Sequence, residues 1–207
     1  MLFNKNNFTI QNILSSSDVL NRPVISGLRI EESRTIATDS YKLLTVDKPK
    51  ADVNDFPEHK SYKPAKFLKP CIIPAKIAKE TEAKLNKIPA EGVSILKHAL
   101  IGNQTTADQV ELITTDLESA DRTITKKIEG DYPKIDSIIP KSKPKATILL
   151  GLDNLKSLID TLKKMSIEDP KSLKISLYGK DRPLLIEATT EEKQKITGLI
   201  MPLKSED

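Results

Sequence analysis

The feature that most constrains this chain is a pattern stated three times, a helical stretch followed by three short strand-like runs. In the first copy Phe8, Ile10, Ile13, Leu14 and Leu20 carry a weak helical spacing that ends before Pro23. Strand-like runs follow at 24–30, 35–38 and 43–46, with turn residues Glu31-Glu32-Ser33 and Asp39-Ser40 between them. After a Lys-, Pro- and Asp-rich stretch at 47–70, which reads as a linker or irregular edge, the pattern restarts. Cys71-Ile72-Ile73 predicts a leading strand, and Pro74 suits the first turn of a helix reaching about Asn86, where a missing N–H costs nothing. Strands are expected at 93–99, 110–115 and 122–128.

The third copy predicts a leading strand at 147–150, a helix over 153–165 and strands near 173–178, 184–188 and 196–201. Its helix is the best formed, with Leu155, Leu158, Ile159 and Leu162 on one face and Lys156, Asp160, Lys163 and Lys164 on the other. Asp153 is the expected N-cap, and the paired lysines suit the last turn. A leading strand is legible only in the second and third copies. One copy cannot hide its own apolar face, so repeats of this kind stack to share a core. The expectation is an α+β protein with helices on one face of antiparallel sheets.

Composition narrows the chemistry. With 207 residues and 38% hydrophobic content the chain can bury a core, and a formal charge of +4 permits a nucleic-acid partner without requiring one. Aromatic residues make up 4% and Trp is absent, so contact with nucleic acid is expected at phosphates and not by base stacking. Cys71 is the single cysteine, which rules out an internal disulfide or a multi-cysteine metal site and fits a reducing compartment. Residues 1–10 do not read as a signal peptide, and no run reaches membrane-span length, so a cytoplasmic protein is expected.

Enzyme chemistry finds little footing. His59 in the linker and His98 in a strand lack ligand spacing, and no Gly-rich phosphate loop occurs. Cys71 reads as a buried strand residue. The Thr38-Asp39 and Thr115-Asp116 pairs fall at equivalent places in successive copies, which turn formation explains. No catalytic residue, metal site or cofactor is expected.

Three segments resemble, in order, the bacterial sliding clamp, the beta subunit of DNA polymerase III. Arg22-Pro-Val-Ile-Ser-Gly-Leu with Ala37-Thr-Asp-Ser-Tyr-Lys-Leu43 is similar to that family's "RPVLNG" and "ATDGHRL". Ile72-Ile-Pro-Ala-Lys76 and Glu129-Gly-Asp-Tyr-Pro-Lys-Ile-Asp-Ser-Ile-Ile-Pro140 resemble "IPAK" and "EGxFPDYxxVIP". Pro183-Leu-Leu-Ile186 and Leu199-Ile-Met-Pro-Leu-Lys204 resemble "KPVLI" and "VMPMR". The chain departs at Ser40, Tyr41 and Lys42, where the family has Gly, His and Arg, and at Lys134-Ile135-Asp136-Ser137, which replaces "DYRR".

The resemblance implies the DNA-clamp fold, with residues 1–142 as a complete clamp-like domain and 143–207 as half of another. A first domain and half of the last have no counterpart. It implies a cleft for short peptides of replication and repair proteins, built from Ile25, Thr38, Ser40, Tyr41, Lys42, Leu43, Pro133, Ser137, Ile138, Leu199, Ile200, Met201, Pro202 and Leu203. Any one of these apolar residues would ordinarily be core. As a set they would make an apolar, adaptable surface for one or two partner side chains.

It also implies a helix-lined face toward double-stranded DNA, to which Lys76, Lys79, Lys84, Lys87, Lys156, Lys163 and Lys164 would contribute phosphate contacts. The expected partners are DNA polymerase and other clamp-binding proteins, with DNA held inside a homo-oligomer. The alternative is a non-encircling adaptor or decoy that competes for the same peptides.

Overall fold

A computed structural model of the chain describes residues 1–14, 22–57, 69–88, 93–103, 108–144, 146–165, 167–169 and 172–203. The chain divides into two compact bodies, Met1–Ile135 and Asp136–Asp207. The larger body holds two repeats and the smaller one holds the third.

The first repeat runs β1 (Leu2–Asn4), α1 (Lys5–Thr9), β2 (Gly27–Ile30), β3 (Arg34–Thr38) and β4 (Leu43–Asp47). The second runs β5 (Cys71–Pro74), α2 (Ala75–Asn86), β6 (His98–Asn103), β7 (Gln109–Thr115) and β8 (Ala120–Lys126). Each leading strand leaves its own repeat and pairs with the other. The sheets are ordered β1-β6-β7-β8 and β4-β3-β2-β5, and every pairing is antiparallel. Leu2 lies opposite Leu100, and Cys71 lies opposite Ile30.

This exchange builds one shared core. Phe8 of α1 and Ala78 and Leu85 of α2 pack with Leu28, Ile30, Ile73, Ala99, Ile101 and Leu112, so both helices cover the same side of the paired sheets. Loops cover the far faces. Phe56 joins Leu2, Leu100 and Ile113 on one sheet, and Tyr132 and Ile135 join Ile36 and Ile72 on the other. The Tyr132 hydroxyl donates to the Ile36 carbonyl at 3.4 Å, and the Arg29 guanidinium lies 5.1 Å from the ring centroid.

Buried Asn7 ties α1 to the sheet. Its Nδ2 donates to Thr35 Oγ1 at 3.1 Å and to the Val46 and Asp47 carbonyls at 3.0 and 3.1 Å, which satisfies an amide that would otherwise be costly to bury.

The smaller body runs α3 (Leu152–Leu162), β9 (Lys174–Ser176), β10 (Leu184–Thr189) and β11 (Lys195–Ile200), with sheet order β11-β10-β9. Leu162, Leu184, Ile186 and Ile200 form its buried centre, flanked by half-buried Leu150, Leu155, Leu158 and Leu173. A Cβ on Gly198 would lie 3.1 Å from Leu158 Cδ1, so glycine lets the helix approach the sheet closely.

Several expectations shift. A leading strand is present in the first repeat, where β1 is too short to carry a period-two signal. Residues 147–150 form no assigned strand, although Leu149 O accepts a bond from Leu203 N at 2.8 Å. The first helix begins at Lys5 and tightens into a 3-10 turn at Ile10–Ile13, and residues 15–20 of the expected helix lie outside the described residues. Pro23–Ser26 and Ser94–Lys97 are also 3-10 turns, so β2 and β6 start later than expected. Gly151, not Asp153, is the N-cap of α3, which puts Asp153 inside the first turn. Lys163 is the C-cap, so the paired lysines fall just beyond the last turn. The stretch at 47–70 is more than a linker, since Val53–Asp55 form a 3-10 turn that carries Phe56 into the core.

Candidate functional site

The loop between β3 and β4 is fixed by its own polar residues. Asp39 Oδ1 accepts from the Tyr41 and Lys42 backbone N–H groups at 3.0 and 2.9 Å, and Thr38 Oγ1 donates to the Lys42 carbonyl at 2.8 Å. The Lys42 ammonium closes on the Asp39 carboxylate. That hydrogen bond, with the two backbone donors, holds the Asp39 carboxyl down to about 2.

The turn after β7 repeats the device. Asp116 Oδ1 accepts from the Glu118 and Ser119 N–H groups at 3.1 and 2.7 Å, and Thr115 Oγ1 donates to the Ser119 carbonyl at 2.7 Å. Both Thr-Asp pairs therefore serve turns. Ser40 and Leu117 occupy the same strained step, with φ of 75° and 80°.

The rigid turn displays Tyr41, which is 96% exposed, while Thr38 beneath it is buried. Ser40 and Lys42 are exposed and Leu43 is half-buried against Tyr132 and Ile135. Ile25 is core and Pro133 is exposed. These are the larger body's share of the expected peptide-binding residues.

In the smaller body, Ser137 and Ile138 are exposed, and the C-terminal strand alternates sharply. Ile200 is buried, whereas Leu199, Met201 and Leu203 are 61%, 62% and 49% exposed. Pro202, half-buried, follows the strand and has no N–H to extend the ladder. A groove of about 470 Å³ lies between this strand and α3, lined by Asn154, Ser157, Leu158, Thr161, Leu199, Ile200 and Met201. The four helix residues were not expected from the sequence. Leu158 belongs to the apolar face of α3, and Asn154, Ser157 and Thr161 are small or polar residues that carry no signal of their own.

The helix lysines divide by surroundings. Lys76 and Lys79 on α2 and Lys87 at its C-cap are exposed, with Lys76 3.9 Å from Glu80. Lys84 turns aside to the sheet, 3.4 Å from Asp121 and 3.2 Å from Thr123 Oγ1. On the smaller body, Lys156 pairs with Asp160, and Lys163 and Lys164 are exposed.

Cys71 is buried in β5 with its thiol pushed up to about 11, chiefly by desolvation, so its nucleophilic thiolate is suppressed at neutral pH. His98 is buried, with its ring Nδ1 3.1 Å from the Ser94 carbonyl. His59 and Lys204 lie outside the described residues. Among the described residues, no group of three His, Cys, Asp or Glu could hold a metal, and no helix is long and apolar enough to cross a membrane.

Helix-plus-three-strand repeats that exchange leading strands beneath a shared helical layer define the DNA-clamp fold. Known structures bear this out. The chain is similar to the DNA polymerase III beta chain of Streptococcus pneumoniae, with a TM-score of 0.67 and 17% identity over 99% of this chain and 49% of that one. It is also similar to the DNA polymerase sliding clamp of Bacillus subtilis, with a TM-score of 0.60 and 19% identity over 98% and 48%. The DNA polymerase III subunit beta of Pseudomonas aeruginosa gives a TM-score of 0.63 and 15% identity over 99% and 52%.

At these identities the likeness establishes the fold, that of the bacterial beta sliding clamps. The chain spans about half the length of the clamps it matches. No family model and no curated protein matches it.

Proposed function

We propose that this chain is a clamp-type scaffold that binds short peptides with paired apolar anchors, such as replication and repair proteins carry. The carrying observation is the end of β11 and the residues just past it, where Leu199 and Met201 are exposed on the α3 groove and Leu203 is exposed two residues further on. Large apolar side chains in one exposed run suit a protein-binding surface better than a solvated one. Ile25, Thr38, Ser40, Tyr41, Lys42, Leu43 and Pro133 on the larger body, with Ser137, Ile138, Ile200 and Pro202 on the smaller, complete the proposed set.

A fluorescein-labelled peptide with adjacent Leu and Phe anchors is expected to bind with micromolar affinity, since two buried side chains offer about 1.5–3 kcal/mol each before ordering costs. Met201→Ala combined with Leu203→Ala removes the exposed anchors and is expected to abolish the anisotropy change with an unaltered circular dichroism spectrum. No anisotropy change with the unmodified protein at high concentration overturns the reading.

A specific observation favours the non-encircling adaptor over a ring around DNA. Lys84 and Lys156 are engaged by Asp121 and Asp160, which weakens the positive field of α2 and α3. Salt-sensitive retention on closed circular DNA would instead assign Lys76, Lys79, Lys87, Lys163 and Lys164 to phosphates.

A further inference from the structure

The smaller body is a repeat without a sibling, and the larger body shows what a sibling supplies. Within the larger body the three residues before each helix N-cap act as a donated strand. Met1, Leu2 and Phe3 precede Asn4, and Cys71, Ile72 and Ile73 precede Pro74. In the third repeat Ile148, Leu149 and Leu150 precede the N-cap Gly151.

The outer edge of the donated strand is also treated alike. Ile128, just past β8, donates its N–H to the Ile72 carbonyl at 2.9 Å, and Leu203, just past β11, donates to the Leu149 carbonyl at 2.8 Å. Leu149 therefore occupies the place of Ile72. What β5 has and residues 148–150 lack, among the described residues, is a strand on the inner edge.

The acceptor edge is equally recognisable. β3, β7 and β10 each end on Thr, and each of those residues pairs with the first residue of the next strand. Counting back three residues gives Thr35, Leu112 and Ile186. Their neighbours are Ile30, Ile101 and Ile175.

Ile30 then meets Cys71 of the donated strand, and Ile101 exchanges backbone hydrogen bonds with Met1 at 2.8 and 2.7 Å. Both isoleucines are 0% exposed. Ile175 shares the core face with wholly buried Ile186, yet it is 49% exposed, and β9 has no strand on its other side among the described residues.

We infer that a second copy of this chain completes the smaller body, each copy laying residues 148–150 along the β9 edge of the other. Ile148 pairs opposite Ile175, Leu149 opposite Lys174 and Leu150 opposite Leu173. The arrangement is reciprocal and closes after two copies, as the mutual exchange of β1 and β5 closes the two repeats of the larger body. It covers an edge strand that would otherwise template uncontrolled pairing. The α3 helices of the two copies meet as α1 and α2 do, with Ile159 at the position of Glu82, which accepts from Thr9 and Gln11 of the neighbouring helical segment. The inference rests on the fold alone and is independent of peptide binding.

The test is particle mass and cross-linking of the full chain. Sedimentation at tens of micromolar is expected to give at least twice the chain mass. Ile148→Pro removes an N–H that faces the partner and is expected to weaken association roughly 100-fold, whereas Ile148→Val retains it.

Ile148→Cys combined with Ile175→Cys places two cysteines across an antiparallel pair at about 4.5–5.5 Å between Cα atoms, within disulfide range. Mild oxidation is expected to yield a covalent dimer on a non-reducing gel, and Ile148→Cys alone is expected to stay monomeric. This readout stands even if the proline variant fails to fold. A single-chain mass at all concentrations, or a disulfide that closes within one chain, overturns the inference. Neither readout involves peptide, so failure here and failure of the anisotropy test are separable.

Discussion

Ile30 and Ile101 in the larger body are sealed from water, whereas Ile175 at the matching position of the smaller body is half exposed. The three positions have equivalent sheet neighbours on one side and differ on the other, where the first two have a donated strand and the third has none among the described residues. Burial here is thus not a property of the repeat. It comes from the neighbour, as in repeat proteins whose stability resides largely in interfaces between units. The smaller body, at about 70 residues, falls in the size range where a single core is marginal.

Truncating the matching side chains separates the sealed positions from the open one. Ile101→Ala is expected to cost about 2–5 kcal/mol, because a sealed site retains the cavity. Ile175→Ala in dilute protein is expected to cost less than about 1.5 kcal/mol, because half of that side chain already faces water. Urea titration followed by circular dichroism measures both. Raising the protein concentration is expected to widen the loss for Ile175→Ala, since association stabilises only what it covers. Equal losses at low concentration would contradict the comparison.

Asn7 gives the next effect. Asn7→Ala leaves Thr35 Oγ1 and the Val46 and Asp47 carbonyls without their shared donor, at an expected cost of about 1–3 kcal/mol in thermal unfolding. The corresponding place on α3, three residues past its N-cap, holds Asn154, which is exposed where Asn7 is buried, and Asn154→Ala is expected to be near neutral.

The two Thr-Asp turns of the larger body carry the same strain at one step. Ser40→Gly and Leu117→Gly both relieve a positive φ, and each is expected to stabilise by up to about 1 kcal/mol, read as a small rise in Tm. A fall at either site would mean that its side chain contributes more than the strain costs.

The smallest effect is acid sensitivity of the first turn. The Asp39 carboxyl is lowered to about 2, so its contribution is fully present above the ordinary carboxylate range and is lost as the pH falls through about 2. Amide resonances of Tyr41 and Lys42 are expected to stay fixed from pH 8 to 5 and to move only below about 3.

Much of the architecture is legible in the residues. The short apolar run Cys71-Ile72-Ile73, the apolar stripe of α3 and the Thr-Asp turns each encode a local structure, and their recurrence encodes the antiparallel α+β class. Less of the detail is legible. Leu2–Asn4 is too short for a period, and Pro23–Ser26 and Ser94–Lys97 pass for strand because their apolar residues suit either conformation. The N-cap of α3 is Gly151, whose backbone is extended and which makes no side-chain cap hydrogen bond, so the cap carries no residue-type signal.

For the site, the residues alone mark an apolar C-terminal run at 199–203 and the polar groups that fix the β3–β4 turn, because the first is a matter of side-chain type and the second of bonds spanning two to four residues. It took the packed chain to show that Leu199, Met201 and Leu203 face water while Ile200 does not, that Lys84 is drawn to Asp121, and that among the described residues nothing gives Ile175 the cover that Ile30 and Ile101 have. Those outcomes depend on which strand or helix lies alongside, and a partner so distant along the chain leaves no mark in the local pattern.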